Sequence, residues 1–367
     1  MEYLADLETL VRINSYTLNK QGVDTVGLLF HSWMAELGYK RTVHSRSHIG
    51  DHLHFCTDRG DGQRILLLGH MDTVFPPGNF ETFREDREWV YGPGVCDMKG
   101  GLIVILESLR EVYRRCGKIH NIDLLLVSDE ETGSEDAIVV TTELSADYDW
   151  CFVFEAAGRN QAVVEGRKGV GTFTMEIQGL AAHAGNQYSN GVNANLEAAL
   201  KLVELTGLTD LSKGTTVNVG RVEGGIGANT ISPHASLLFE IRYRNAEERD
   251  RLLREIDRLV KQSQVAGTKT VLGGGLQRDV MEPSPEQQDL LQAIETITGT
   301  YLPTEFRGGV SDANVTSAAG LITLDGFGPY GEGDHSNEEK ALKASLEQRI
   351  ELVSKILNYH QANKKII

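Results

Sequence analysis

Three short apolar runs in this chain each end in ionisable side chains, and that repetition constrains the fold more than any other feature. Ile65-Leu66-Leu67-Leu68-Gly69 runs into His70-Met71-Asp72, Leu124-Leu125-Leu126-Val127-Ser128 into Asp129-Glu130-Glu131, and Phe152-Val153-Phe154 into Glu155. In open parallel sheets, ligands bind outside the carboxyl ends of the strands, so these three termini are expected to converge on one crevice. A crevice rich in carboxylates and holding a histidine points to a metal.

The rest of the chain supplies the helices such a sheet needs. Amphipathic periodicity predicts helices over Tyr3 to Ile13 and Val23 to Leu37, the second closing at Gly38. Strands are predicted at Arg41 to His44, His52 to Thr57, Ile65 to Gly69, Ile122 to Val127 and Trp150 to Phe154, with a helix over Gly101 to Tyr113. Strands alternating with helices argue an α/β domain with a mostly parallel sheet. From Lys168 the texture becomes strand (Gly171 to Ile177), helix (Val192 to Leu205), two strands (Thr215 to Val222, Ala235 to Arg242), helix (Ala246 to Ser263) and strand (Thr268 to Leu272). This is a β-α-β-β-α-β unit of ferredoxin-like type. Helices near Glu286 to Thr298 and Glu338 to His360 then restore the α/β texture. The expected organisation is one α/β domain over residues 1–166 and 277–367, interrupted by an α+β domain over 167–276.

Charge and cysteine usage narrow the partners. The 36 Lys and Arg against 52 Asp and Glu leave a net charge of −16. No basic cluster is dense enough to track phosphates, so neither nucleic acid nor an anionic membrane is an expected partner. No apolar run approaches the roughly 20 residues that cross a bilayer, and the first residues lack the pattern of a signal peptide, so a cytoplasmic location is expected. Cys56, Cys96, Cys116 and Cys151 are far apart with no Cys-x-x-Cys pair, and reduced thiols are expected.

Residue by residue, several readings stay open. His70 and Asp72 are two apart on extended backbone and point to one side, as a ligand and its orienting carboxylate would, or as a plain strand end with a solvated Asp. Asp129, Glu130 and Glu131 place three like charges in a row, which repel unless a cation or proton compensates. The segment Gly92-Pro93-Gly94-Val95-Cys96-Asp97-Met98-Lys99-Gly100-Gly101 fits neither nucleotide-binding glycine pattern; it suits backbone passing close to an ion at Asp97, or a simple turn. In Gly333-Asp334-His335-Ser336-Asn337-Glu338-Glu339, Ser336 or Asn337 is expected to cap the last helix, with the glutamates in its first turn. His52 and His54 alternate on one strand face, as a pair of metal ligands would, but read first as surface or edge-strand histidines. No Gly-x-Ser-x-Gly elbow or cysteine nucleophile signature is present.

Taken in order, His70-Met71-Asp72-Thr73-Val74, Gly92-Pro93-Gly94 through Gly101, Asp129-Glu130-Glu131-Thr132-Gly133, Glu155 and Asp334-His335 resemble the co-catalytic zinc hydrolases. That family includes glutamate carboxypeptidase, aminoacylase, acetylornithine deacetylase and succinyl-diaminopimelate desuccinylase. The resemblance spans nearly the whole chain and implies a di-zinc catalytic domain with an inserted lid and dimerisation domain. It implies that Asp97 bridges two Zn²⁺ ions, with His70 and Glu155 completing one site and Glu131 and His335 the other; Mn²⁺ or Co²⁺ are possible substitutes. It further implies Glu130 as general base, Asp72 as an orienting aspartate and a cis peptide bond after Asp97. Gly179-Leu180-Ala181-Ala182-His183-Ala184-Gly185 resembles the lid segment whose histidine stabilises an oxyanion across a homodimer interface. Asn229 and Arg242 match substrate-binding lid positions, a strand-surface arginine in a salt bridge being the other reading of Arg242, and Gly308-Gly309-Val310-Ser311-Asp312-Ala313 resembles a loop near the substrate pocket, with Val310-Ser311 departing from the pattern and Gly309 its expected substrate contact.

Glu at position 155 accompanies carboxypeptidases, deacylases and desuccinylases among relatives, and the wording around His70 and His183 is most similar to the glutamate carboxypeptidase branch. The expected activity is hydrolysis of an amide next to a free carboxylate in a small peptide, with an N-acyl amino acid deacylase as the alternative. A binding protein for an amino-acid derivative, without catalysis, is the reading from another class.

Overall fold

The computed structural model describes residues 2–367. Its central element is a six-stranded sheet with strands in the order Lys40–His44, His52–Cys56, Ile122–Val127, Ile65–His70, Trp150–Val153 and Ile322–Leu324. The last four run parallel, and the first two close one edge antiparallel. Every residue of Ile65–His70 and Ile122–Val127 is buried. Their unbroken apolar runs follow from this, because alternate residues face opposite layers and both layers are covered. Ile65, Leu67, Leu124 and Phe152 join the main core together with Leu102, Ile103 and Leu106 of the Lys99–Cys116 helix.

That helix starts directly after the Gly92–Met98 turn. A Cβ at Gly101 would lie 2.0 Å from the Phe154 carbonyl oxygen, so only glycine lets the helix start this close to the strand end that carries Glu155. Gly117, left-handed at φ 74°, ends the helix, with Arg114 and Arg115 in the last turn where cations favour the dipole. These elements and the C-terminal Lys343–Asn363 helix belong to one compact unit, formed by the residues up to Gly166 with Pro283–Arg307 and Ser311–Ile367.

The second compact unit comprises Arg167–Glu282 and Gly308–Val310. Its four strands, Gly169–Gln178, Thr216–Gly224, His234–Tyr243 and Lys269–Arg278, form an antiparallel sheet in which the second is an end strand beside the third, and the first lies between the third and the fourth. With helices Ala194–Gly207 and Ala246–Lys261 between them in sequence, this is the ferredoxin-like order. Phe173, Met175, Ile177, Leu237, Phe239 and Ile241 alternate inward as its core. Inside it, Lys201 is fully buried, 2.9 Å from Glu197, and donates to the Gln262 carbonyl at 2.8 Å. The ends of the unit are stapled together: Arg167 N donates to Met281 O at 2.9 Å, and Met281 N to Arg167 O at 3.1 Å.

Three expectations are corrected. The last helix begins at Lys343, not Glu338, and its N-cap Leu342 makes no side-chain cap, so neither Ser336 nor Asn337 caps it. Lys340–Leu342 is instead a strand paired with Trp89–Tyr91. His52 and His54 are buried, because their strand lies inside the sheet rather than at its edge. His52 sits between Ser128 Oγ at 3.0 Å and Asp136 Oδ1 at 3.1 Å, and His54 Nε2 is 2.8 Å from the Tyr148 hydroxyl. The Ala137–Ser145 and Asp312–Ala318 helices carry too short a periodic signal to be predicted. Among the described residues, no helix is long and apolar enough to cross a membrane.

Candidate metal centre

His70 is the last residue of its strand, and Asp97 lies in the turn before the Lys99–Cys116 helix. His70 Nε2 is 3.1 Å from Asp97 Oδ1 and 3.6 Å from Glu155 Oε1. Asp97 Oδ2 faces the other way, 3.2 Å from His335 Nε2, which is in turn 3.1 Å from Glu131 Oε2. Two clusters result, His70–Asp97–Glu155 and Asp97–Glu131–His335, each offering one atom per residue within 4.8 Å of the others. Asp97 belongs to both. The peptide bond from Asp97 to Met98 is cis.

Asp72 organises the approach from below. Fully buried, it accepts a hydrogen bond from Thr17 Oγ1 at 2.7 Å, and from the backbone N–H groups of Glu130 and Glu131 at 3.3 and 3.2 Å. His70 Nδ1 lies 3.0 Å from the Asp72 carbonyl, so Nδ1 carries a proton in every state, and Nε2, 3.1 Å from Asp97 Oδ1, holds a second proton that a metal ion would replace. One aspartate thus ties the end of one strand to the acidic turn after another.

The electrostatics of the cluster call for a cation. Burial pushes the Glu131 carboxyl up to about 8, and the charges of Asp97 and Glu130 add to the effect. Glu155 is pushed well above its usual range, by burial first and by Asp97 next. Asp97 moves the other way: hydrogen bonds from His335 and His70 outweigh its burial and hold it well below the carboxylate range. Hydrogen bonds to Asp97 and Glu131 raise the His335 imidazole to about 11. Carboxylates this closely packed and desolvated repel one another, and two imidazolium ions or two bound metal ions can compensate. Nitrogen and oxygen donors sharing one carboxylate fit a pair of borderline divalent ions.

The remaining candidate residues lie in the second unit. His183 Nδ1 accepts the N–H groups of Gly185 and Asn186, both at 3.1 Å, which leaves Nε2 as the protonated, donating nitrogen. Asn229 lies beside it, its carbonyl accepting from Ala184 N at 2.9 Å. Arg242 is already engaged: its Nε is 2.7 Å from Glu240 Oε1 and its Nη1 donates to the Gly308 carbonyl at 2.9 Å. The neighbouring Gly309 carbonyl accepts from Arg167 Nη1 at 3.1 Å. Ser311 caps the Asp312–Ala318 helix and Asp312 accepts from Ser134 Oγ at 2.5 Å, so this end of the motif has a structural use.

Sequence reasoning missed Thr17, Lys99 and Glu339. Lys99 is buried and donates to the carbonyls of Leu10 and Ile13 at 3.0 and 2.8 Å, and burial lowers it to about 7. No local pattern marks any of the three, because each acts on a segment distant in sequence.

A largely parallel sheet with two imidazoles and three carboxylates gathered beyond its strand ends defines an α/β protein with a candidate two-metal centre. The sequence profile described as Peptidase family M20/M25/M40 matches residues 66–359, and the chain belongs to that family. It is 28% identical to carboxypeptidase G2 of Pseudomonas sp. (strain RS-16), over 96% of this chain and 87% of that protein. It is 27% identical to succinyl-diaminopimelate desuccinylase of Xylella fastidiosa (strain M12), over 82% of this chain and 84% of that one. In fold it is similar to a tripeptidase of Staphylococcus aureus subsp. aureus Mu50, with a TM-score of 0.82, 21% identity and 97% coverage of both chains.

Proposed function

We propose that this chain is a carboxypeptidase of the glutamate carboxypeptidase type, cleaving an amide bond adjacent to a free carboxylate in a small peptide. The observation that carries the reading is the pair of His-carboxylate clusters sharing Asp97, with Glu130 in the same turn as Glu131. In this reading His70, Asp97 and Glu155 hold one divalent ion and Asp97, Glu131 and His335 the other, zinc being the ion the donor set suits best. When bound, the ions supply Lewis-acid polarisation of the scissile carbonyl and acidify a water.

The chain's own groups do the rest. Glu130 is the general base: it takes the proton of the attacking water and returns it to the leaving amine. Its backbone N–H is held by Asp72, in the turn that also carries Glu131. Asp72 positions Glu130 through the backbone and fixes the His70 tautomer. His183, with Nδ1 occupied, donates from Nε2 to the oxyanion in the site of a partner subunit. Asn229, Arg242 and the Gly309 loop orient the substrate; Arg242 must exchange Glu240 for the substrate carboxylate, which its planar fork suits.

Glu130→Gln is expected to keep both metal ions and lose roughly 10²–10⁴-fold in kcat. Metal analysis with steady-state kinetics on N-blocked dipeptides ending in glutamate checks this; unaltered turnover would show that Glu130 is not the base, and the binding-protein reading gains if the wild type is inactive with metal bound. The second reading, an N-acyl amino acid deacylase, is favoured by the 27% identity to a desuccinylase. N-acetyl and N-succinyl amino acids in the same panel separate the two.

We also infer a homodimer formed through the second unit, acting in the cytoplasm. Thr216–Gly224 is an end strand of its sheet, and Leu196 and Val203 on the helix before it stand exposed. Such an edge is commonly covered by a partner. Sedimentation is expected to give twice the chain mass for the wild type and a monomer for Val203→Asp; a wild-type monomer at micromolar concentration sinks the idea.

A further inference from the structure

The turn that carries Asp97 is held from the far end of the chain. Glu339 Oε1 accepts the backbone N–H groups of Cys96 at 2.9 Å and Asp97 at 3.0 Å, and its Oε2 accepts that of Gly94 at 2.9 Å. The side chain is 1% exposed. Pairing of Lys340–Leu342 with Trp89–Tyr91 brings Glu339 beside Gly92, whose N–H donates to the Glu339 carbonyl at 3.3 Å. A buried carboxylate that accepts three backbone donors makes charge-assisted bonds and fixes the donors in place. The residue so fixed is the one common to both clusters, and its two oxygens face His70 and His335 at once.

We propose that Glu339 is a positioning residue of the metal centre, setting the attitude of Asp97 and through it the metal affinity of both sites. The inference rests on the reading of Asp97 as a shared ligand. Partners that orient ligands in this way change metal affinity by about 10–100-fold when altered. Glu339→Gln keeps the volume but turns an N–H₂ group toward one of the amides it should accept, so one anchor becomes a repulsion.

Metal-free protein is titrated with Co²⁺ and followed by visible absorption, for the wild type, Glu339→Gln and Glu347→Gln. Glu347 accepts from the Tyr3 hydroxyl at 3.1 Å in the same unit and serves as the comparator for a merely structural loss. The wild type is expected to take up two Co²⁺. Glu339→Gln is expected to bind at least 10-fold more weakly with altered absorption bands, and Glu347→Gln to lower Tm with the bands unchanged. A wild type that binds no Co²⁺ overturns the shared-ligand reading itself. A wild type that binds while Glu339→Gln gives the same affinity and bands overturns the role of Glu339 alone. Should Glu339→Gln not fold, hydrogen exchange on the metal-free wild type decides: the Cys96 and Asp97 amides are expected to be protected, and exchange at open-loop rates overturns the proposal.

Discussion

Asp72 shows how one side chain can organise several others. Its two oxygens accept from a threonine hydroxyl and two backbone amides, and each bond is made to a fully buried charge. Removing the Thr17 hydroxyl leaves that charge one donor short, a loss of roughly 1.5–3 kcal/mol for a hydrogen bond to a charged group. Thr17→Val is therefore expected to lower unfolding stability by about that amount and to weaken metal binding, by urea denaturation and metal titration; unchanged values in both would mean that Thr17 only fills space. At this scale the sequence was informative where chemistry repeats: His70, Asp97, Glu131, Glu155 and His335 are gathered in space, and each follows an apolar run or a glycine-rich turn. It was silent on the part played by Thr17 and on the hold of Glu339 over the Asp97 turn, because their partners lie 55 and more than 240 residues away; for Arg242 the salt-bridged alternative is the one present, with Glu240 as its partner.

At the scale of elements, the central strands Ile65–His70, Ile122–Val127 and Trp150–Val153 were legible because burial on both faces leaves uniform apolar runs, and the long helices because one face is apolar, whereas Ile322–Leu324 and Trp89–Tyr91 are too short to leave a pattern. The misplaced start of the last helix has a physical cause: Glu338 and Glu339 resemble a helix first turn in sequence, but the Trp89–Tyr91 strand captures the segment into a sheet. In the second unit, the Ala246–Lys261 helix is anchored by Glu248, whose carboxylate accepts from Arg251, Thr215 and Lys213. The Arg251 hydrogen bonds, more than any other influence, bring Glu248 from 4.5 down to about 2. Because the folded value lies below the unfolded one, this contribution is complete above about pH 4.5 and vanishes as pH falls through about 2. The stability gap between wild type and Glu248→Gln, measured by urea unfolding at a series of pH values, is expected to hold steady above pH 4.5 and close toward pH 2; a gap independent of pH would assign it to packing.

For the molecule as a whole, the charge packed into the candidate metal centre bears on stability. Chelation leaves Glu131 and Glu155 facing Asp97 with only imidazolium protons to compensate. A ligand that binds only the folded chain contributes about 2.7 kcal/mol at 100 times its Kd, so removing it should lower Tm on the order of 5–10 °C. Thermal scans with and without EDTA, and after adding Zn²⁺ to the chelated protein, check this; identical curves would mean that the metal adds nothing to folding. The paired amides of Arg167 and Met281 have a different kind of consequence. The two ends of the second unit's main segment are held side by side, so the chain enters and leaves that segment at one place. Residues can be gained or lost between those two points without changing the separation of its ends. Such a junction allows one hydrolytic scaffold to carry extensions of many sizes, each free to vary while the scaffold stays as it is.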